Sequence, residues 1–317
     1  MTVRVDVAVI GAGPAGLAAA LGIVRARRSV IVLDSARPRN AATLASHGFI
    51  TRDGISPLEL RKLGAEELAG YGVAVERTVV TSLSPLESGE FVVQAETRGA
   101  GVGTEVVARA VVLATGLAET LPALPTLRAF YGTALHSCVD CDGWEKRTAP
   151  LALIGETDDL AERARFLANW SDDLVVFTNG VAEVSDADEA ELASRGIRVE
   201  RRVIADIAGT GREGMTGVTL ADGETVPRTA GFVRPVWTPS LAFADDLGLA
   251  RDADGYISTD GAGRTSVAGI YAAGDIVSGP QQLLIAAGDG ARVAGSVIRD
   301  TLETTARVRR APARAVE

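Results

Sequence analysis

Short runs of consecutive apolar residues recur along the chain, each closed by a glycine or an acidic turn. They are VDVAVI (5–10), SVIVLD (29–34), RAVVLATG (109–116), APLALIGE (149–156), DLVVFTNG (173–180) and GIYAAGD (269–275). Runs of this length without polar alternation read as parallel strands buried on both faces. Between the first two lies LAAALGIVRARR (17–28), rich in Ala and Leu and ending in arginines that suit a helix C-terminus. The same strand–helix–strand order returns at 149–180, with DDLAERARFLANW (158–170) as its helix. SPLELRKLGAEELAGYG (56–72) predicts a helix from Ser56 with Pro57 in its first position, and 279–302 predicts a long helix. Alternation between 73 and 113 predicts a β-meander, and Pro122 and Pro125 mark a domain crossing. The predicted fold class is α/β, with two Rossmann-like dinucleotide-binding domains, the second inserted into the first. The expected divisions are 1–117 for the first part of the outer domain, 118–243 for the insert, 244–305 for the return, and a disordered tail over 306–317.

Composition narrows the function. The chain of 317 residues is 47% hydrophobic and 23% charged, the profile of a soluble globular protein. Its net charge of -9 argues against nucleic acid or an anionic membrane surface as a partner. No apolar run reaches the roughly 18 residues that a membrane span needs. The first ten residues lead directly into a strand, so a cytoplasmic protein without a signal peptide is expected. The 2 cysteines, Cys138 and Cys141, stand three positions apart. That is no disulfide scaffold of a secreted domain, and in a reducing compartment it points to redox or metal chemistry.

Two constellations carry chemistry. Gly11, Gly13 and Gly16, with Pro14 and Ala15 between them, have G-x-G-x-x-G spacing between a strand and a helix. The first glycine allows the tight turn, the second admits a pyrophosphate, and the third lets helix and strand pack closely. The phosphates would meet the free N–H groups of the helix N-terminus, and Asp34, closing the second strand, would accept from ribose hydroxyls. The second constellation is Cys138 and Cys141 in HSCVDCDGWE. A zinc site would need further ligands, and no second C-x-x-C exists to supply them; the metal expectation is therefore none. Two inert core cysteines are the other alternative. A small disulfide that an attacking thiolate can open suits the spacing best.

GAGPAG, ATG (Ala114, Thr115, Gly116), CVDCDG, AAGD (with Gly274 and Asp275) and Gln282 before IAAGDGARVA occur in an order that resembles low-molecular-weight bacterial thioredoxin reductases. The resemblance covers roughly 5–302. It implies FAD as cofactor, Asp275 at the flavin ribityl chain, and a homodimer. It also implies that Cys141 exchanges electrons with the flavin, that Cys138 meets the substrate, and that Asp142 moves a proton. Read locally, Asp142 is instead a turn or helix cap before Gly143.

The chain departs from that family where NADPH would bind. In GETDDLAERA (155–164) the second glycine position is Thr157, followed by Asp158 and Asp159, and FTNGVAEVSDADEAE (177–191) contains no Arg or Lys. On charge alone NADPH is disfavoured. SHGFITRDG (46–54), LHSCVDCDGWE and WSDDLVVFTNG look like a branch of dithiol oxidases that close disulfides in natural products such as gliotoxin and holomycin. Those enzymes usually place His after the second cysteine, where this chain has Asp142. His136 and His47 are the alternative bases, each also readable as a hydrogen-bonded turn histidine. Trp144 and Trp237 are candidates for lining a substrate cleft or for ordinary packing. The expectation is thus an FAD-dependent oxidase of a small-molecule dithiol with oxygen as acceptor. A disulfide reductase driven by NADPH or ferredoxin, or a non-enzymatic flavin redox sensor, stands as the alternative.

Overall fold

The computed structural model describes residues 2–97 and 103–302; the expected tail over 306–317 lies outside the described residues. The chain divides into two compact units: Met1–Ala41 with Pro57–Ala118 and Thr238–Glu317, and Ala42–Ser56 with Glu119–Trp237. The return crossing therefore lies between Trp237 and Thr238, a few residues before the position read from the sequence. The segment Ala42–Ser56 groups with the second unit although both its neighbours in sequence belong to the first.

In the first unit, Thr2–Ile10 pairs in parallel with Val30–Asp34 on one side and Gly103–Leu113 on the other. Ile270–Ala272 extends the sheet beyond Gly103–Leu113, and Val75–Pro85 extends it beyond Val30–Asp34. Phe91–Thr97 pairs antiparallel with both long strands and completes the meander. Val7, Ala8, Val9, Val111 and Val112 are fully buried, which is why these strands read as unbroken apolar runs. The helix Pro14–Arg25 begins with Pro at its first turn, where no N–H is needed. It packs on the long helix Leu283–Leu302 through small residues. A Cβ on Gly290 would fall 2.0 Å from the Ala15 carbonyl oxygen, so the two backbones meet with nothing between them.

The second unit repeats the design. Arg198–Glu200, Leu174–Phe177, Leu151–Gly155, Ala230–Arg234 and Leu135–His136 form one parallel sheet in that order. The helix Leu160–Leu167 links its second and third strands in space. An antiparallel sheet of Ile204–Thr210, Gly214–Leu220 and Thr225–Pro227 was not anticipated from the sequence. No helix among the described residues is long and apolar enough to cross a membrane.

Candidate active site

The cysteine pair opens a helix. The short edge strand Leu135–His136 leads through Ser137 to Cys138, the N-cap of the helix Val139–Lys146. Cys138 and Cys141 are joined as a disulfide, with their Cα atoms 5.3 Å apart. The Cys141 N–H donates to Cys138 Sγ at 3.2 Å, so this sulfur takes the place of a capping oxygen. A thiolate at that position would keep the hydrogen bond and gain from the helix N-terminus. The helix is pinned by Gly143, where a Cβ would lie 3.0 Å from the indole of Trp170. The sequence reading missed this helix because VDCDGWEK is short and carries a glycine that weakens intrinsic helix propensity.

Asp142 therefore lies inside the first helical turn rather than capping a turn before Gly143. Its carboxylate meets the ring of His136: Oδ1 is 2.9 Å from Nδ1, with the two side chains 13% and 7% exposed. His136 Nε2 lies 2.8 Å from the Thr133 carbonyl oxygen. A carbonyl only accepts, so Nε2 is the donor in that contact. The structure thus brings into contact two residues proposed separately as acid or base. His47, the other candidate, sits in the 42–56 loop, with Nδ1 3.3 Å from Asp53 Oδ2 and 3.7 Å from Glu145 Oε1.

The dinucleotide turn of the first unit has the sterics its spacing suggests. A Cβ on Gly16 would lie 1.9 Å from the Gly11 carbonyl oxygen, and one on Gly11 would lie 2.3 Å from the Ala114 carbonyl oxygen. Gly11 also has φ +105, a conformation that favours glycine. A Cβ on Gly13 would meet nothing within 4 Å, so the side that a ligand approaches is open. Gly13 is the N-cap of the helix Pro14–Arg25 and offers no side chain to its free N–H groups. Nearby in the A-T-G segment, the buried Thr115 Oγ1 has no hydrogen-bond partner among the described residues. A bound phosphate-bearing cofactor with hydroxyl and carbonyl groups would satisfy both sets, and the residues present fit FAD on these grounds.

Asp34 and Asp275 are more engaged than the sequence suggested. Asp34 Oδ1 accepts the Ala12 N–H at 2.9 Å, and Oδ2 accepts the Ala36 N–H at 2.8 Å and Arg61 at 2.5 Å. Arg61 also donates through Nε to the Ala12 carbonyl at 3.0 Å, tying the helix Pro57–Ala69 to the glycine turn. Asp275 is paired with Arg39 at 2.8 Å and lines a cavity of about 490 Å³ with Gly274 and Ala286. Gln282 precedes the helix Leu283–Leu302, and its carbonyl accepts the Ala286 N–H at 2.9 Å. Arg39 and Arg61 were missed. Long-range arginine pairing leaves no local motif, whether in the polar stretch that holds Arg39 or in the helix that holds Arg61.

The corresponding turn of the second unit is filled by the chain itself. Asp159 is the N-cap of the helix Leu160–Leu167. Its carboxylate takes Thr157 Oγ1 at 2.6 Å, Arg163 Nε at 2.6 Å and Arg234 Nε at 2.8 Å. Burial pushes the Asp159 carboxyl up. The hydrogen bonds from Thr157 and Arg163, with the charges of Arg163 and Arg234, outweigh that and hold it below the usual carboxylate range. Asp158 accepts the Glu183 N–H at 2.9 Å. Trp237 lies under the guanidinium of Arg234, 4.5 Å from it, and donates toward Glu119 at 3.4 Å. The charge argument from sequence was therefore incomplete: Asp159 is matched by Arg163 within the segment and by Arg234 from outside it.

Residues 5–290 match the family described as pyridine nucleotide-disulphide oxidoreductase. The chain superposes on the solved structure named thioredoxin reductase TrxB from Bacillus anthracis with a TM-score of 0.87 and 37% identity, covering 95% of this chain and 99% of that one. It superposes on HlmI with a TM-score of 0.88 and 35% identity, covering 95% and 93%. The curated thioredoxin reductase aclD of Aspergillus oryzae is 30% identical over 285 residues, 85% of this chain and 88% of its own.

Proposed function

Within the pyridine nucleotide-disulphide oxidoreductase family, to which this chain belongs, we propose that it is an FAD-dependent dithiol oxidase, working as a homodimer, that closes a disulfide in a small molecule and delivers the electrons to oxygen. The thioredoxin reductase group of this family is FAD-dependent, and its members are typically homodimers. The observation that carries the reading is Asp159. Its carboxylate, with Arg163 and Arg234, occupies the helix start where a second dinucleotide would place its phosphates. A phosphate arriving there would have to displace that carboxylate from both arginines. With that route disfavoured, reducing equivalents enter from the substrate thiols.

In this reading one substrate thiolate attacks Cys138 Sγ, and the Cys138–Cys141 bond breaks with Cys141 leaving. The second substrate thiolate attacks the substrate sulfur bound to Cys138. The product disulfide forms and Cys138 leaves as thiolate. The His136–Asp142 pair acts as the acid–base group, giving a proton to the sulfur released as the disulfide opens and taking one from the next substrate thiol. Bound FAD supplies the two-electron acceptor that restores the Cys138–Cys141 disulfide, with oxygen as the final oxidant and hydrogen peroxide as product. Thus two protons and two electrons leave the dithiol and appear in one peroxide.

Holoprotein mixed with dithiothreitol in air is expected to consume one oxygen per dithiol and form hydrogen peroxide with no NADPH present. Oxygen uptake that requires NADPH would overturn the reading. The names of the relatives favour the alternative, a disulfide reductase, which shares every residue assigned here except the terminal electron partner.

A further inference from the structure

Trp144 is the bulkiest hydrophobic side chain that the described residues leave exposed, at 65%. Ordinary packing does not account for it. It stands three positions after Cys141 in the helix Val139–Lys146, and Glu145 stands four after it. Side chains at those spacings share one helix face, so indole and carboxylate lie on the face that carries Cys141. Glu145 is also where the 42–56 loop arrives, through His47. The same loop exposes Leu44 and Ile50, each at 74%.

This loop is held in place. The Gly48 N–H donates to Asp53 at 2.9 Å, and Ser46 and Ile55 bridge across its base. Ala42 seats against Gly132, where a Cβ would lie 2.1 Å from the Ala42 carbonyl oxygen. Keeping such side chains in water forgoes the free energy of burial. The unit nevertheless keeps them exposed on the helix that carries its disulfide and on the loop that reaches that helix through His47.

We infer that Trp144, Ile50 and Leu44 form the surface that receives the substrate, and that it selects a dithiol carried on a flat apolar or aromatic scaffold. The inference rests on the dithiol-oxidase reading and deepens it. Stacking on the indole would hold the scaffold while its sulfur meets Cys138. The charges single out neither an acidic nor a basic protein as the occupant. Asp140 and Glu145 on this short helix and Asp53 on the loop are offset by Arg52, Lys146 and Arg147. Arg147 lies over the Trp144 ring, 3.8 Å from its centroid.

The test compares kcat/KM for toluene-3,4-dithiol and for dithiothreitol in holoprotein. In Trp144→Ala the ratio of aromatic to aliphatic substrate is expected to fall about tenfold, mainly through KM, the size of an aromatic stacking contribution. Trp144→Phe is expected to keep most of the ratio, and Ile50→Ser to lower it severalfold. An unchanged ratio, or equal losses for both dithiols, overturns the assignment. So does a change of oligomeric state in Trp144→Ala, which would give the surface to a second copy of the chain. Reduction of the wild-type flavin by dithiothreitol is read separately. Its absence overturns the oxidase reading, whereas its presence with an unaltered ratio overturns only the assignment of this surface.

Discussion

Cys138→Ser and Cys141→Ser are each expected to lower dithiol turnover by about 10³-fold or more, as the loss of a covalent nucleophile does. Neither variant can form the disulfide that the substrate must open. Flavin content, set by the glycine turn of the other unit, is expected to stay at the wild-type level. The two variants should differ in one respect. Cys141→Ser retains the sulfur at the helix N-cap, where a backbone N–H and the helix N-terminus favour thiolate. It should therefore attack an aromatic disulfide such as 5,5′-dithiobis(2-nitrobenzoate) quickly and hold one mixed disulfide. Faster trapping by Cys138→Ser would reverse the assignment of the two sulfurs.

Asp142→Asn is expected to lower kcat by about 10²-fold, within the range of a lost general acid–base group. The amide can still donate to His136 Nδ1, so strand and helix remain joined where the 2.9 Å contact now joins them. It cannot, however, release or recover a proton. The solvent isotope effect on kcat should rise, while KM for the dithiol should change little. Asp142→Ala adds a structural cost of about 1–3 kcal/mol, because it leaves a buried ring nitrogen without a partner. Wild-type kcat in Asp142→Asn would show that the pair only joins helix to strand.

The repeated strand–helix–strand pattern made the parallel strands of both units legible, because strands buried on two faces leave unbroken apolar runs such as VDVAVI and APLALIGE. The glycine turn was legible for a similar reason. Gly16 and Gly11 sit where backbone oxygens leave no room for a Cβ, and that constraint writes itself into sequence at fixed spacing. The 204–227 antiparallel sheet was not legible, since its strands carry glycines and exposed polar positions that read as loop. Pairings between distant residues were the other gap. Asp159 with Arg234 and Asp275 with Arg39 join positions far apart in sequence, and no local pattern announces them. The His136–Asp142 contact could have been suspected from six-residue proximity, but the helix that brings Asp142 back to the strand was needed to see it.

The most direct measurement is the absorbance of the oxidised flavin under anaerobic conditions, followed first with NADPH and then with dithiothreitol. If electrons enter only through the cysteine pair, NADPH leaves the band intact, the dithiol bleaches it, and air restores it with formation of hydrogen peroxide. Prompt bleaching by NADPH would contradict the account, because it would mean that Asp159, Arg163 and Arg234 still admit the nucleotide.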